Sequence, residues 1–136
     1  MGHFVPKRQE ILLVDDEEDT LLELQEMLED AGFVCHLATS VQVAMQQLNR
    51  FPDIALIITD LRMPEESGLR LLQRLRSGGS NQNIPVIVSS GHAGIDDVID
   101  VLRLQVVDFL RKPIYHEQLI ATLDNLFPPE AYRDAL

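Results

Sequence analysis

Five residues carry the chemistry legible in this chain: Asp15, Asp16, Asp60, Ser90 and Lys112. Each follows or closes a short aliphatic run. "EILLV" leads into Asp15 and Asp16, "IALIIT" into Asp60, "IPVIVS" into Ser90 and Gly91, and "VVDFL" into Lys112 and Pro113. Taken singly, each has an ordinary structural use, as a helix-preceding acid, a turn residue, a loop hydroxyl or a surface cation. All of them fall at the carboxyl ends of strand-like runs, which is where an open parallel sheet places its functional crevice.

Three carboxylates gathered within 4–5 Å would repel by roughly 3–4 kcal/mol per pair at an effective dielectric of about 20. Such a group calls for positive charge. Oxygen donors without imidazole or thiol select Mg²⁺ or Mn²⁺, ions that keep several waters and bridge to phosphate. Lys112 adds a compact ammonium able to reach Asp60 or a phosphoryl oxygen, in a chain with nine arginines and only two lysines. A divalent ion, a carboxylate nucleophile, a hydroxyl and an ammonium are the parts of phosphoryl transfer, where catalysis is mostly positioning and charge neutralisation. The acids read as a metal cup beside a phosphorylatable aspartate.

Positioning these groups requires a scaffold, and its elements are visible as alternating patterns. Strand-like runs lie at residues 10–14, 33–38, 54–59, 84–89 and 106–110. Between and after them, helical spacing links Leu21, Leu24 and Leu28; Val41, Ala44 and Leu48; Leu69, Leu72 and Leu75; Ile95, Val98 and Leu102; Leu119, Leu123 and Leu126. Gly32 is placed to end the first helix and Ser40 to cap the second. Because the strand runs are apolar throughout, they suit strands buried on both faces, hence a doubly wound parallel α/β sheet covered by helices on each side. "RFPD" and "SGGSNQN" supply loop chemistry.

The 136 residues make one domain's worth of chain, enough to bury roughly two-thirds of the unfolded surface. A net charge of −11 argues against a phosphate-tracking nucleic-acid surface. No apolar run approaches the ~20 residues needed to cross a bilayer, and no signal-peptide core is present, so a cytoplasmic location without membrane contact is expected. The single cysteine, Cys35, excludes an internal disulfide and a cysteine-based zinc site. The acidic first helix, with Glu23, Glu26, Glu29 and Asp30, reads as a solvated face.

The segments "VDDEED", "IITDLRMPEESGLRLL", "PVIVSSGHA" and "DFLRKPI" resemble, in order and spacing, the receiver domain of two-component response regulators of the single-domain chemotaxis type. The resemblance covers about residues 9–127, leaving 1–8 as an N-terminal extension, part of it resembling a tag remnant, and 128–136 as a tail or the start of a linker. It implies a flavodoxin/CheY-like fold, a five-stranded parallel sheet of order 2-1-3-4-5 flanked by five helices. Residue by residue, it implies that Asp60 accepts a phosphoryl group from phosphohistidine. Asp15, Asp16, Asp60 and the backbone carbonyl of Arg62 would hold the Mg²⁺ or Mn²⁺. Ser90 would be the switch hydroxyl, Lys112 the ammonium that pairs with the phosphoryl group, and Phe109 the aromatic switch residue. The Lys112–Pro113 bond would be cis.

The partners implied are a sensor histidine kinase or phosphotransfer protein and an output domain or downstream protein, with no direct nucleic-acid contact and with a homodimer on phosphorylation. The output surface would be the fourth helix, last strand and last helix, switching as Ser90 moves and Phe109 fills the space. The module would act as an autocatalytic phosphoacceptor with slow self-dephosphorylation, not as a turnover enzyme. Arg62 and His92, two residues beyond Asp60 and Ser90, either overhang and shield the acyl phosphate or simply point into solvent. Gln105 and Val106 stand where many members carry Gly-Ala, so the turn before the last strand is expected to be tighter or shifted. Two competing readings are a pseudo-receiver that is never phosphorylated and an aspartyl-nucleophile phosphohydrolase. The latter generally wants an acid where this chain has Arg62.

Overall fold

The computed structural model describes residues 7–79, 83–91 and 95–129. Five parallel strands, β1 (Glu10–Val14), β2 (Val34–Ala38), β3 (Ile54–Asp60), β4 (Val86–Ser90) and β5 (Asp108–Arg111), form one sheet in the order β2-β1-β3-β4-β5. Five helices alternate with them: α1 (Glu18–Asp30), α2 (Val41–Arg50), α3 (Gly68–Arg76), α4 (Ile95–Arg103) and α5 (His116–Leu126). The doubly wound 2-1-3-4-5 architecture is therefore as expected.

Side chains alternate across the pleat, so each central strand feeds two cores. Leu12, Val14, Ile57, Val86 and Val88 pack with α2 and α3 residues on one face, where Val101 of α4 joins them. Ile11, Leu13, Leu56, Ile58 and Ile87 pack with Leu21, Leu24 and Leu28 of α1 and Leu119 and Leu123 of α5 on the other. Each fully buried Leu or Ile contributes about 1.5–3 kcal/mol, and this double layer is what makes the strand ends rigid.

The helix boundaries follow local chemistry. Gly32 adopts φ 94° just beyond α1, where its N–H donates to the Glu29 carbonyl at 3.0 Å. Ser40 Oγ accepts from the Val43 N–H at 3.2 Å and caps α2, and Ser67 Oγ accepts from the Arg70 N–H at 3.3 Å and caps α3.

Three details differ from the sequence pattern. On α4, Val101 is fully buried while Leu102 is 60% exposed; positions three and four residues after Val98 both lie on its face, and helix orientation decides which one enters the core. On α3, Leu71 joins Leu72 and Leu75 in the core while Leu69 is half-buried. The last strand begins at Asp108 and not at 106: Gln105 adopts the left-handed φ of 59° after α4, and the Val107 N–H then reaches the Val86 carbonyl at 2.8 Å.

Two arginines tie the ends of the sheet layer together. Arg8 donates to Asp124 Oδ1 at 2.9 Å and to the Phe127 carbonyl at 2.8 Å, lying over the Phe33 ring at 4.0 Å. Arg76, at the end of α3, donates to the carbonyls of Ile84 (2.7 Å) and Leu104 (3.0 Å).

Candidate functional site

The sheet register brings the chemistry-bearing strand ends side by side. Val14 is paired with Thr59, Asp60 with Ser89, and Ser90 with Arg111. The carboxyl ends of β1, β3, β4 and β5 therefore lie together at one edge of the sheet. The Asp15 N–H continues the ladder to the Ala38 carbonyl at 3.1 Å, and the Lys112 N–H to the Ser90 carbonyl at 3.0 Å.

Asp15 is buried at 2% exposure. Its Oδ1 accepts from the Glu17 N–H at 2.9 Å and its Oδ2 from Lys112 Nζ at 2.6 Å. Asp60, 7% exposed, holds its Oδ2 3.5 Å from the same ammonium. The Arg62 backbone N–H also donates to the Asp60 carboxylate. Asp16 is exposed, yet one oxygen from each of Asp15, Asp16 and Asp60 falls within 4.8 Å of the others.

The electrostatics follow from this crowding. Burial raises the Asp60 pKa, and the neighbouring Asp15 charge raises it further, against the opposing pull of Lys112 and the Arg62 amide. For Lys112, burial by itself lowers the pKa, but the Asp15 and Asp60 carboxylates outweigh it and the net shift is upward. One ammonium thus serves two acids, and the pocket holds a negative excess. Hard carboxylate oxygens converging from three positions, one of them solvent-facing, suit a divalent ion that keeps water ligands.

Of the expected site residues, Asp15, Asp16, Asp60 and Lys112 come together directly. Ser90 closes β4 at 3% exposure, one strand away, with its carbonyl bonded to the Lys112 amide. Ser89 is an interior strand residue whose hydroxyl lies 3.4 Å from the Thr59 carbonyl. Arg62 is exposed. Phe109 sits within β5 opposite Val88, half-buried against the α2–α3 core layer. The Lys112–Pro113 bond is cis. His92 lies outside the described residues. A groove of about 160 Å³ opens beside the site between α1 and the segment after β5, with Leu24, Met27, Lys112, Pro113 and Ile114 among its walls.

Sequence reasoning missed two contributors. The Glu17 amide, which fixes one Asp15 oxygen, follows from a side chain bonding two residues ahead, a habit of Asp before a helix. Gly68, which on sequence alone reads as shaping the turn after Asp60 and starting the next helix, lies so near the Asp60 backbone that a Cβ there would collide with the Asp60 carbonyl oxygen.

The family model of the response regulator receiver domain matches residues 11–124. This chain belongs to that family. The receiver is 32% identical to the two-component response regulator PprB of Pseudomonas aeruginosa over 117 residues, 85% of this chain and 42% of PprB. It is 33% identical to the transcriptional regulatory protein FixJ of Rhizobium meliloti over 115 residues, 83% of this chain and 54% of FixJ. The receiver thus spans about half the length of these curated relatives. Among solved structures, a response regulator receiver protein from Pseudomonas putida superposes with a TM-score of 0.84 at 34% identity, covering 89% of this chain and 99% of that one. Among the described residues, no helix is long and apolar enough to cross a membrane.

Proposed function

We propose that this receiver accepts a phosphoryl group on Asp60 from a phosphohistidine of a partner kinase or phosphotransfer protein, and passes the change to an output domain or downstream protein in the cytoplasm. The observation that carries this is the pair of buried carboxylates, Asp15 and Asp60, sharing the Lys112 ammonium at 2.6 and 3.5 Å. A buried acid with so little compensation is expensive unless the site is used. The folded unit is taken as residues 9–127, with 1–8 as an extension and 128–136 as a tail or linker.

In the transfer step an Asp60 oxygen attacks phosphorus, the new P–O bond forms as the P–N bond to the donor imidazole breaks, and the imidazole leaves with the bonding pair. Asp15, Asp16, Asp60 and the Arg62 carbonyl would hold a Mg²⁺ or Mn²⁺ ion, whose charge offsets that of the phosphoryl oxygens. Lys112 pairs with a phosphoryl oxygen, Ser90 donates its hydroxyl to another, and the Asp15 carboxylate keeps Lys112 oriented. The groove that Leu24, Met27 and Ile114 share with Thr20 and Glu23 lies next to Lys112 and would offer the donor a seat of mixed polar and apolar character.

Movement of Ser90 toward the phosphoryl group leaves room for Phe109 to turn inward, shifting the surface of α4, β5 and α5. That surface exposes Ile99 (41%), Leu102 (60%), Val107 (42%) and Tyr115 (67%), an apolar set suited to pairing with a partner or a second copy after activation. As an exposed side chain two residues beyond Asp60, Arg62 would hinder water and lengthen the acyl phosphate's life.

The test is incubation with Mg²⁺ and acetyl phosphate. The expected product is an acid-stable, base-labile phosphate absent from Asp60→Asn. Wild-type protein that acquires none is a pseudo-receiver, and one that releases phosphate from many donors at high turnover is a hydrolase.

A further inference from the structure

The carboxylate of Asp60 meets Lys112, but its main-chain carbonyl meets the first turn of α3. Gly68 begins that helix and is buried, and its N–H donates to the Leu61 carbonyl at 2.8 Å. A Cβ on residue 68 would collide with the Asp60 carbonyl oxygen and stand 3.1 Å from both the Asp60 carbonyl carbon and the Leu61 Cα. These are backbone atoms, which cannot swing aside as the tip of a side chain would.

Neither side of the contact yields easily. The Asp60 carbonyl accepts the Thr59 hydroxyl at 3.0 Å, and the Leu61 N–H is held by the Ser89 carbonyl at 2.9 Å, so the end of β3 is tied to β4. On the other side, Leu71, Leu72 and Leu75 are each no more than 2% exposed, and Arg76 fastens the far end of α3 to Ile84 and Leu104. Both parts are close-packed and transmit a displacement instead of absorbing it.

The geometry points to Gly68 as a positioning residue for Asp60: the missing side chain at the start of α3 sets where β3 presents its carboxylate to Asp15 and Lys112. This rests on the reading of Asp60 as the phosphoacceptor. By contrast, a Cβ on Gly91, at the end of β4, would stand 3.8 Å from Lys112 Cβ, an ordinary contact. The constraint is specific to the α3 side of the site.

The experiment compares Gly68→Ala with Ser67→Ala, which removes the α3 cap but places nothing against Asp60. Phosphorylation from acetyl phosphate is read per folded molecule at saturating Mg²⁺ and donor, alongside Tm. Gly68→Ala is expected to be about 100-fold slower, as a reacting group misplaced by about 1 Å would be. Ser67→Ala is expected to lower Tm and keep the wild-type rate. If Gly68→Ala does not fold in plain buffer, the rate is read in trimethylamine N-oxide, which strengthens burial; failure to fold even there makes the close approach a folding requirement and overturns the positioning role. Folded Gly68→Ala at the wild-type rate, or an equal loss of rate in Ser67→Ala, also overturns it. Wild-type protein that takes up no phosphate removes the Asp60 reading as well, whereas phosphorylated wild type with an equally fast Gly68→Ala removes this inference alone.

Discussion

Lys112 is bound more closely to Asp15 than to Asp60: its Nζ lies 2.6 Å from Asp15 Oδ2 and 3.5 Å from Asp60 Oδ2. The ammonium is held by the acid that is not expected to react. The acid that is expected to react lies within reach of the same ammonium, which could then pair with a phosphoryl oxygen on Asp60.

Replacing Lys112 by methionine keeps the stem and removes the charge. In Mg²⁺-free buffer, Asp15 and Asp60 would then face each other without a cation, and the variant is expected to lose about 1–3 kcal/mol in urea denaturation. Saturating Mg²⁺ is expected to recover part of that loss, because the ion supplies charge to the same carboxylates. A variant as stable as wild type without Mg²⁺ would show that the ion pair is incidental.

Asp60→Asn is expected to stabilise the metal-free protein at pH 7. Burial raises the Asp60 pKa, so the native state prefers the protonated carboxyl. By linkage its favourable contribution is complete below the ordinary carboxylate pKa of 3.8 and is lost as pH rises through the raised native value. At neutral pH the acid is therefore a burden, and its neutral isostere is expected to raise Tm by about 3–5 °C. Thermal melts with and without Mg²⁺ check this: the gain must shrink when Mg²⁺ is added. A lower Tm for Asp60→Asn in chelator would contradict the reading.

Cys35 is expected to be slow toward thiol reagents. Burial, with the Glu29 charge adding, pushes its thiol from 9.0 up to about 12. At pH 8 that leaves about 1,000-fold less thiolate than in the unfolded chain. The same shift predicts that stability falls as pH climbs above 9.0, where the unfolded chain ionises first. Reaction with a chromogenic disulfide in buffer and in 8 M urea measures the contrast, and equal rates would refute it.

Arg8 is expected to matter for stability and not for phosphorylation. It joins the residue ahead of β1 to the last turn of α5 through Asp124, the Phe127 carbonyl and the Phe33 ring, all on the side of the sheet away from the strand carboxyl ends. Arg8→Ala should lower unfolding free energy by about 1–2 kcal/mol, since one partner is partly exposed, with an unchanged rate of phosphate uptake from acetyl phosphate.

Much of the fold and site was legible before any coordinates. Strands β1 and β3 carry the unbroken aliphatic runs "ILLV" (11–14) and "IALII" (54–58), a composition that suits a sheet covered on both faces. Once the strands are parallel, their carboxyl ends share an edge, and Asp15, Asp60 and Lys112 have to meet there. Ser40 and Gly32 mark helix ends through chemistry local to a few residues. On α4, periodicity did not choose between Val101 and Leu102, because both lie on the face of Val98.

What the chain determined alone was the set of groups at the site and the edge on which they gather, because strands buried on both faces and joined by helices run parallel and share their carboxyl edge. Distances between groups from different strands were decided only by packing. Whether Lys112 leans on Asp15 or Asp60, and whether the start of α3 leaves room for a Cβ beside Asp60, depends on sub-ångström offsets between layers. Those offsets come from the summed contacts of the whole core, and no local run of residues encodes them.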